Sequence, residues 1–153
     1  MKIGIVSDTH DNWNNFKKAI EWFNKEEIKT VLHCGDIFSQ ETIDNVDKIF
    51  SGEIKYVKGN ADYSLENIPE KLDIELGNKK IGFAHFPDVV KKMAQSQDYD
   101  TVFYGHTHRP WDEKIGNCHM INPGELAGHF YKPTFAVYDT DNGKLELKIL
   151  ETL

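Results

Sequence analysis

The chain has 153 residues, of which 39% are hydrophobic and 28% charged, so we expect one globular domain over residues 1–153. No apolar run approaches the roughly 20 residues of a membrane span, which predicts a cytoplasmic protein without a membrane partner. The formal charge is −7 and the basic residues form no long run, which argues against a nucleic-acid polymer as substrate. Cys34 and Cys118 lie far apart without a CxxC pattern, which indicates reduced thiols.

Strands and helices alternate in the first half of the chain. Strands are predicted at residues 2–7, 30–34 and 55–57, and the second of two helices at residues 40–49. The first helix begins at Asn12, and its apolar face is formed by residues at helical spacing: Trp13, Phe16, Ile20 and Phe23. This alternation favours parallel pairing of the strands.

The second half of the chain contains more strands than helices. Two strands, at residues 73–76 and 79–85, flank Gly77-Asn78, which is a strong hairpin signal. A short helix is predicted at residues 89–97. Further strands follow at residues 101–104, 118–122, 134–139 and 144–150. Together the two halves predict two packed sheets with helices on the outside.

Potential metal ligands follow five of the predicted strands. Ligand sites of open α/β sheets form at the carboxyl ends of the strands, so these side chains should meet at one edge. The candidates are Asp8, His10, Asp36, Asn60, His85, His106 and His108.

The chemistry of these side chains indicates a pair of divalent cations. Carboxylate, amide and imidazole ligands suit Mn, Fe, Co, Ni or Zn. Seven ligands exceed the needs of one catalytic ion, whereas two ions about 3.5–4 Å apart that share one carboxylate would use them all. Asp36 is the expected bridge, with each of its oxygens facing one ion. The resulting positive charge would attract phosphate, which a hydroxide shared by the ions would attack.

Each candidate also has a purely structural explanation. Asp8 could cap the following helix, and the pairs Gly35-Asp36 and Gly59-Asn60 are ordinary turn sequences. His85 could be a packed core histidine, and His106 and His108 could lie in an exposed loop. The combination of all seven in one chain favours the metal site.

The motifs in their order resemble those of the calcineurin-like metallophosphoesterases, and in particular the small bacterial and archaeal phosphodiesterases. The resemblance covers nearly the whole chain. It rests on Asp8-x-His10, Gly35-Asp36, Gly59-Asn60, His85, Gly105-His106-Thr107-His108 and Asn122-Pro123-Gly124.

The resemblance implies a fold and a division of ligands. The fold would be α/β, a four-layer α-β-β-α sandwich with two central mixed sheets flanked by helices. Asp8, His10 and His108 would hold one ion. Asn60, His85 and His106 would hold the other, with Asp36 shared.

The resemblance also implies the activity, which is the hydrolysis of small phosphodiesters, with monoesters and a homo-oligomeric state left open. The catalytic residues would be Asp36, Asn60 and His106. Manganese is the first choice of metal, with Ni, Fe, Co or Zn as alternatives. The rival hypothesis is a non-catalytic protein-binding scaffold, because a retromer subunit resembles this fold.

Two positions depart from the family pattern. Many members follow the Asn with a His that protonates the leaving group, but this chain has Ala61. Phe86 and Pro87 follow His85 where many members carry Gly, and these two residues are expected to narrow the pocket or to form an apolar wall.

Three further residues are expected near the site. His33 is predicted to pack behind a ligand. Asp62 is expected either to orient a neighbour or to accept a backbone hydrogen bond. His129 lies near the Asn122-Pro123-Gly124 loop, where it is expected either to be a surface residue or to contact substrate.

Overall fold

The computed structural model describes all 153 residues and contains two five-stranded sheets. In chain order the elements are β1 (Lys2–Val6), α1 (Trp13–Lys25), β2 (Thr30–His33), α2 (Gln40–Ile49), β3 (Glu53–Tyr56), β4 (Lys71–Leu76), β5 (Lys79–Ala84), α3 (Pro87–Gln95), β6 (Thr101–Phe103), β7 (Trp111–Ile115), β8 (Cys118–Asn122), β9 (Thr134–Asp139) and β10 (Leu145–Ile149). A short 3₁₀ helix, Leu150–Thr152, follows. None of the helices combines the length and apolar character needed to cross a membrane.

The first sheet has the order β10-β9-β1-β2-β3, and the second has the order β4-β5-β6-β8-β7. Strands β1, β2 and β3 pair in parallel, as the alternation of strand and helix predicted. In the second sheet β5, β6 and β8 are parallel, and β4 and β7 pair antiparallel at the two edges. The parallel strands of each sheet therefore have their carboxyl ends on the same side.

Three apolar clusters hold four layers together. Phe16, Ile20 and Phe23 of α1 pack against the outer face of the first sheet. Residues such as Ile5, Phe83 and Phe103 fill the space between the two sheets. Val90, Met93 and Ala94 of α3 cover the outer face of the second sheet. The predicted four-layer α/β sandwich is confirmed.

Helix ends follow local chemistry. The Asn12 side chain caps α1 by accepting a hydrogen bond from the Asn15 backbone N–H at 3.1 Å. The third helix begins at Pro87, two residues before the predicted start, because proline is favoured in the first turn of a helix. Pro87 is therefore the first residue of α3. The helix ends at Gln95, before Gln97 with its φ of 60°.

Strand β7 was not predicted from the sequence. Its central residues are Asp112, Glu113 and Lys114, and most of the strand is exposed on both faces. It has no hydrophobic alternation because it lies at the edge of its sheet, where charged side chains prevent pairing with other chains.

Candidate metal centre

The seven candidate ligands lie at the carboxyl ends of β1, β2 and β3 in one sheet and of β5 and β6 in the other. The structure brings them together in two touching groups. One group is Asp8, His10 and His108, and the other is Asn60, His85 and His106; Asp36 contacts both.

The first group surrounds Asp8 Oδ1. This oxygen is 3.6 Å from His10 Nε2 and 3.3 Å from His108 Nε2. Neither Asp8 Oδ1 nor His10 Nε2 has a hydrogen-bond partner, although both atoms are buried. An unsatisfied buried carboxylate oxygen costs free energy that a bound cation would recover. The residues present therefore fit a metal ion.

The second group contains three lone-pair atoms in contact. His85 Nε2 is 3.0 Å from Asn60 Oδ1, and His106 Nδ1 is 3.1 Å from the same oxygen. His85 Nδ1 donates to the Cys34 carbonyl at 2.8 Å, which leaves Nε2 with its lone pair toward the group. Such a set of convergent oxygen and nitrogen donors fits a second cation.

Asp36 contacts both groups through the same oxygen. Its Oδ2 is 3.5 Å from His10 Nε2 and 3.2 Å from His85 Nε2. Its Oδ1 accepts a hydrogen bond from the Ala61 backbone N–H at 2.8 Å. The sequence predicted that each oxygen would face one ion. In the structure Oδ2 alone faces both groups, because Oδ1 is engaged by the backbone.

The charges within the cluster shift the pKa values of its ionisable side chains. The carboxylate of Asp8, 3.6 Å from His10 Nε2, raises the pKa of His10, and the Asp36 charge adds to this effect although partial burial opposes it. Burial would lower the pKa of His85, but its hydrogen bond to Asp36 and the charge of Asp8 raise it. Burial would raise the pKa of Asp36, yet its contact with His85 keeps it lowered. Metal ions bind the deprotonated imidazoles, so the raised pKa values of His10 and His85 predict that metal affinity increases with pH.

Five of the seven donor residues have a left-handed backbone, with φ of 53° at Asp8, 45° at His10, 62° at Asp36, 70° at His106 and 64° at His108. Non-glycine residues in this region are strained by about 1–3 kcal/mol each. Hydrogen bonds between the loops hold them there. The Asp8 backbone N–H donates to the Gly35 carbonyl at 3.0 Å, and that of His106 donates to Asp8 Oδ2 at 3.0 Å.

Two glycines permit the close approach of these loops. A Cβ at Gly59 would overlap Asp36 Oδ1, and a Cβ at Gly105 would overlap Ser7 Oγ and lie 2.6 Å from Asp8 Oδ2. The glycines of Gly59-Asn60 and Gly105-His106 are therefore needed next to the carboxylates.

Asp62 anchors the loop that carries Asp36. It is fully buried, and its carboxylate accepts the backbone N–H groups of Asp36 and Gly59 at 2.8 Å each and of Phe38 at 2.7 Å. Both roles expected from the sequence thus occur together: by accepting backbone hydrogen bonds, Asp62 orients a neighbouring donor.

Glu125 was missed by the sequence analysis. It is fully buried, and its Oε2 accepts a hydrogen bond from His108 Nδ1 at 2.9 Å, which turns His108 Nε2 toward Asp8. A carboxylate behind a histidine is the usual support of a metal ligand. The only signal in the sequence is an acidic residue directly after Asn122-Pro123-Gly124.

His33 packs beneath the site. It is fully buried; its Nδ1 accepts from the Gly35 backbone N–H at 3.1 Å, so its Nε2 donates to Thr9 Oγ1 at 2.8 Å. Burial lowers the pKa of His33 to about 3. Burial raises the pKa of Cys34, the next residue in the chain. Its thiol therefore stays protonated, and a protonated thiol is a poor nucleophile.

The pKa of His33 predicts a loss of stability in acid. An unfolded His has a pKa of about 6.5, so the unfolded chain binds a proton that the folded protein excludes. The free energy of unfolding should therefore decrease by up to about 1.4 kcal/mol per pH unit as the pH falls from about 6.5 toward 3. The variant His33→Gln keeps an acceptor and a donor but cannot titrate. Urea unfolding in EDTA should show a shallower acid slope for this variant; equal slopes would contradict the prediction.

A family model described as the calcineurin-like phosphoesterase superfamily domain matches residues 1–143. The chain belongs to this superfamily. A phosphodiesterase of Methanocaldococcus jannaschii is 36% identical over 99% of this chain and 100% of its own length.

Solved structures agree with this assignment. An archaeal phosphodiesterase superposes with a TM-score of 0.88 at 33% identity, covering 97% of this chain and 99% of that one. Vps29 of Chaetomium thermophilum superposes with a TM-score of 0.74 at 21% identity, covering 97% of this chain and 91% of the other. The second likeness concerns the fold alone.

Proposed function

We propose that this chain is a metal-dependent phosphodiesterase that hydrolyses small phosphodiesters with two divalent ions, of which manganese is the first choice. The observation that carries the proposal is the set of converging donor atoms, in which the buried atoms Asp8 Oδ1 and His10 Nε2 have no hydrogen-bond partner in the protein. The full-length likeness to a protein named a phosphodiesterase supports the diester class.

The contacts support a division of the ligands between two ions. Asp8, His10 and His108 would hold one ion, and Asn60, His85 and His106 would hold the other. Asp36, whose Oδ2 contacts both groups, would be shared. When bound, the ions would supply a hydroxide nucleophile near neutral pH and positive charge for the phosphoryl oxygens.

The protein's own groups then position the substrate. Asn60 and His106 are exposed, unlike buried Asp8, Asp36 and His85, so they form the side of the site that substrate reaches. The half-exposed ring of Phe86 lies 5.0 Å from the His85 ring and 5.1 Å from the His106 ring. Phe86 therefore forms an apolar wall that suits an organic substituent of the diester.

The rival hypothesis is a binding scaffold. It remains an alternative because the chain shares its fold with Vps29. One assay separates the two. Protein stripped of metal and then supplied with Mn²⁺ should hydrolyse bis(p-nitrophenyl) phosphate, while the stripped protein should not. Protein that binds two ions but hydrolyses no phosphoester would be a scaffold.

The absence of an imidazole at Ala61 predicts a strong dependence on the leaving group. General acid catalysis contributes about 10²–10⁴-fold, so nitrophenyl esters, which need no proton, should react far faster than alkyl esters. Only the backbone N–H of Ala61 bonds to Asp36, and the residue is half-exposed, so a larger side chain has room. The variant Ala61→His should lower the ratio of the rate for nitrophenyl esters to the rate for alkyl esters. An unchanged ratio would count against this account.

A further inference from the structure

His129 lies beside the first group of donors, although the division of ligands proposed above gives it no role. Its ring centroid is 5.2 Å from that of His10 and 6.1 Å from that of His108. One ring nitrogen from each of the three histidines lies within 4.8 Å of the other two. We infer that His129 is an additional, exchangeable ligand of the ion proposed at Asp8, His10 and His108. The inference rests on the proposed function.

A single buried carboxylate positions both His108 and His129. Glu125 accepts a hydrogen bond from His108 Nδ1, and it also accepts the backbone N–H groups of His129 and of Phe130, the latter at 3.2 Å. The same residue that turns His108 toward Asp8 therefore fixes the backbone from which the His129 ring extends. This arrangement explains why an acidic side chain is fully buried in the loop.

The segment before His129 is also bonded to the first donor loop. The Leu126 and Ala127 backbone N–H groups donate to the Ser7 and Asp8 carbonyls, each at 3.0 Å. From the other side, the Asn12 side chain donates to the Ala127 carbonyl at 3.1 Å. The approach of the His129 backbone to the donors is thus set by the fold.

The His129 ring is exposed and makes no hydrogen bond within the protein, whereas His108 is buried and held by Glu125. Water can solvate the exposed His129 ring once it leaves an ion, whereas the buried His108 ring has no such replacement. His129 would therefore be the ligand of this ion that substrate displaces most readily.

This ligand would make the two ions unequal. The first ion would have three imidazoles and two carboxylates, from His10, His108, His129, Asp8 and Asp36. The second would have four protein ligands. Because of the additional imidazole, the first position should bind Ni or Zn more tightly than the second position does.

Titration of the protein with Co²⁺ tests the inference. Calorimetry measures the affinity for each ion, and visible absorption of bound Co²⁺ reports on its ligands. The variants are His129→Ala and, as a matched control, His119→Ala, whose side chain contacts Asp112 on β7 instead. In His129→Ala one of two ions should bind at least about tenfold more weakly, with a changed Co²⁺ spectrum. His119→Ala should match the wild type in both measurements.

The outcomes separate this inference from the proposed function. Equal affinities and spectra for wild type and His129→Ala would overturn the inference alone. A lower turnover in His129→Ala with unchanged metal binding would also overturn it, since His129 would then contact only substrate. Failure of the wild type to bind any ion would overturn the proposed function and the inference together.

Discussion

The variant Asp36→Asn should lose phosphodiesterase activity by about 10³-fold or more. The substitution keeps an oxygen to accept the Ala61 N–H and replaces Oδ2, the atom that faces both His10 and His85, by an amide nitrogen. The amide nitrogen has no available lone pair and no negative charge for a cation, so both ions should bind more weakly. Assay with bis(p-nitrophenyl) phosphate and Mn²⁺ titration on the same samples would measure both effects.

A surface variant controls for the loss of one carboxylate. Asp44 lies exposed on α2, and Asp44→Asn should retain full activity. The folded state of Asp36→Asn can be checked by its thermal unfolding without metal. A folded Asp36→Asn protein with activity within a few fold of wild type would contradict the role assigned to Oδ2.

The variant Asp62→Ala should lower both stability and activity. It leaves the backbone N–H groups of Asp36, Gly59 and Phe38 without their acceptor. Unsatisfied buried donors cost about 1–3 kcal/mol each, so we expect a loss of about 3 kcal/mol or more. For a chain of this size this lowers Tm by roughly 6–12 °C. Because the Asp36 loop loses its anchor, metal affinity should decrease as well.

A graded comparison identifies the hydrogen bonds as the cause. Asp62→Asn keeps one oxygen acceptor and should have a Tm between those of wild type and Asp62→Ala. Differential scanning calorimetry in EDTA measures the structural effect apart from metal binding. An unchanged Tm for Asp62→Ala in EDTA would show that the three hydrogen bonds do not stabilise the loop.

Most of the fold could be predicted because its signals are local. The helical spacing of Phe16, Ile20 and Phe23 and the hairpin signal at Gly77-Asn78 each lie within a short stretch of chain. Strand β7 was missed because an exposed edge strand has no apolar face. Its existence depends on pairing with β8, which no local pattern records.

The candidate site was partly predictable for a related reason. Each donor lies within five residues after the end of a strand, so the order of motifs indicated where the donors would meet. The supporting contacts join distant segments instead: Glu125 supports His108, and Asp62 supports the Asp36 loop. The use of Asp36 Oδ2 alone depends on the backbone N–H of Ala61, which any residue at that position would supply.

Crystals of the full-length protein grown with Mn²⁺ would test the central claim most directly, by anomalous scattering at the manganese absorption edge. We expect two neighbouring manganese peaks, one contacted by Asp8, His10 and His108 and the other by Asn60, His85 and His106, with Asp36 Oδ2 coordinated to both. No peak among these side chains, or a single peak that Asp36 does not contact, would contradict it.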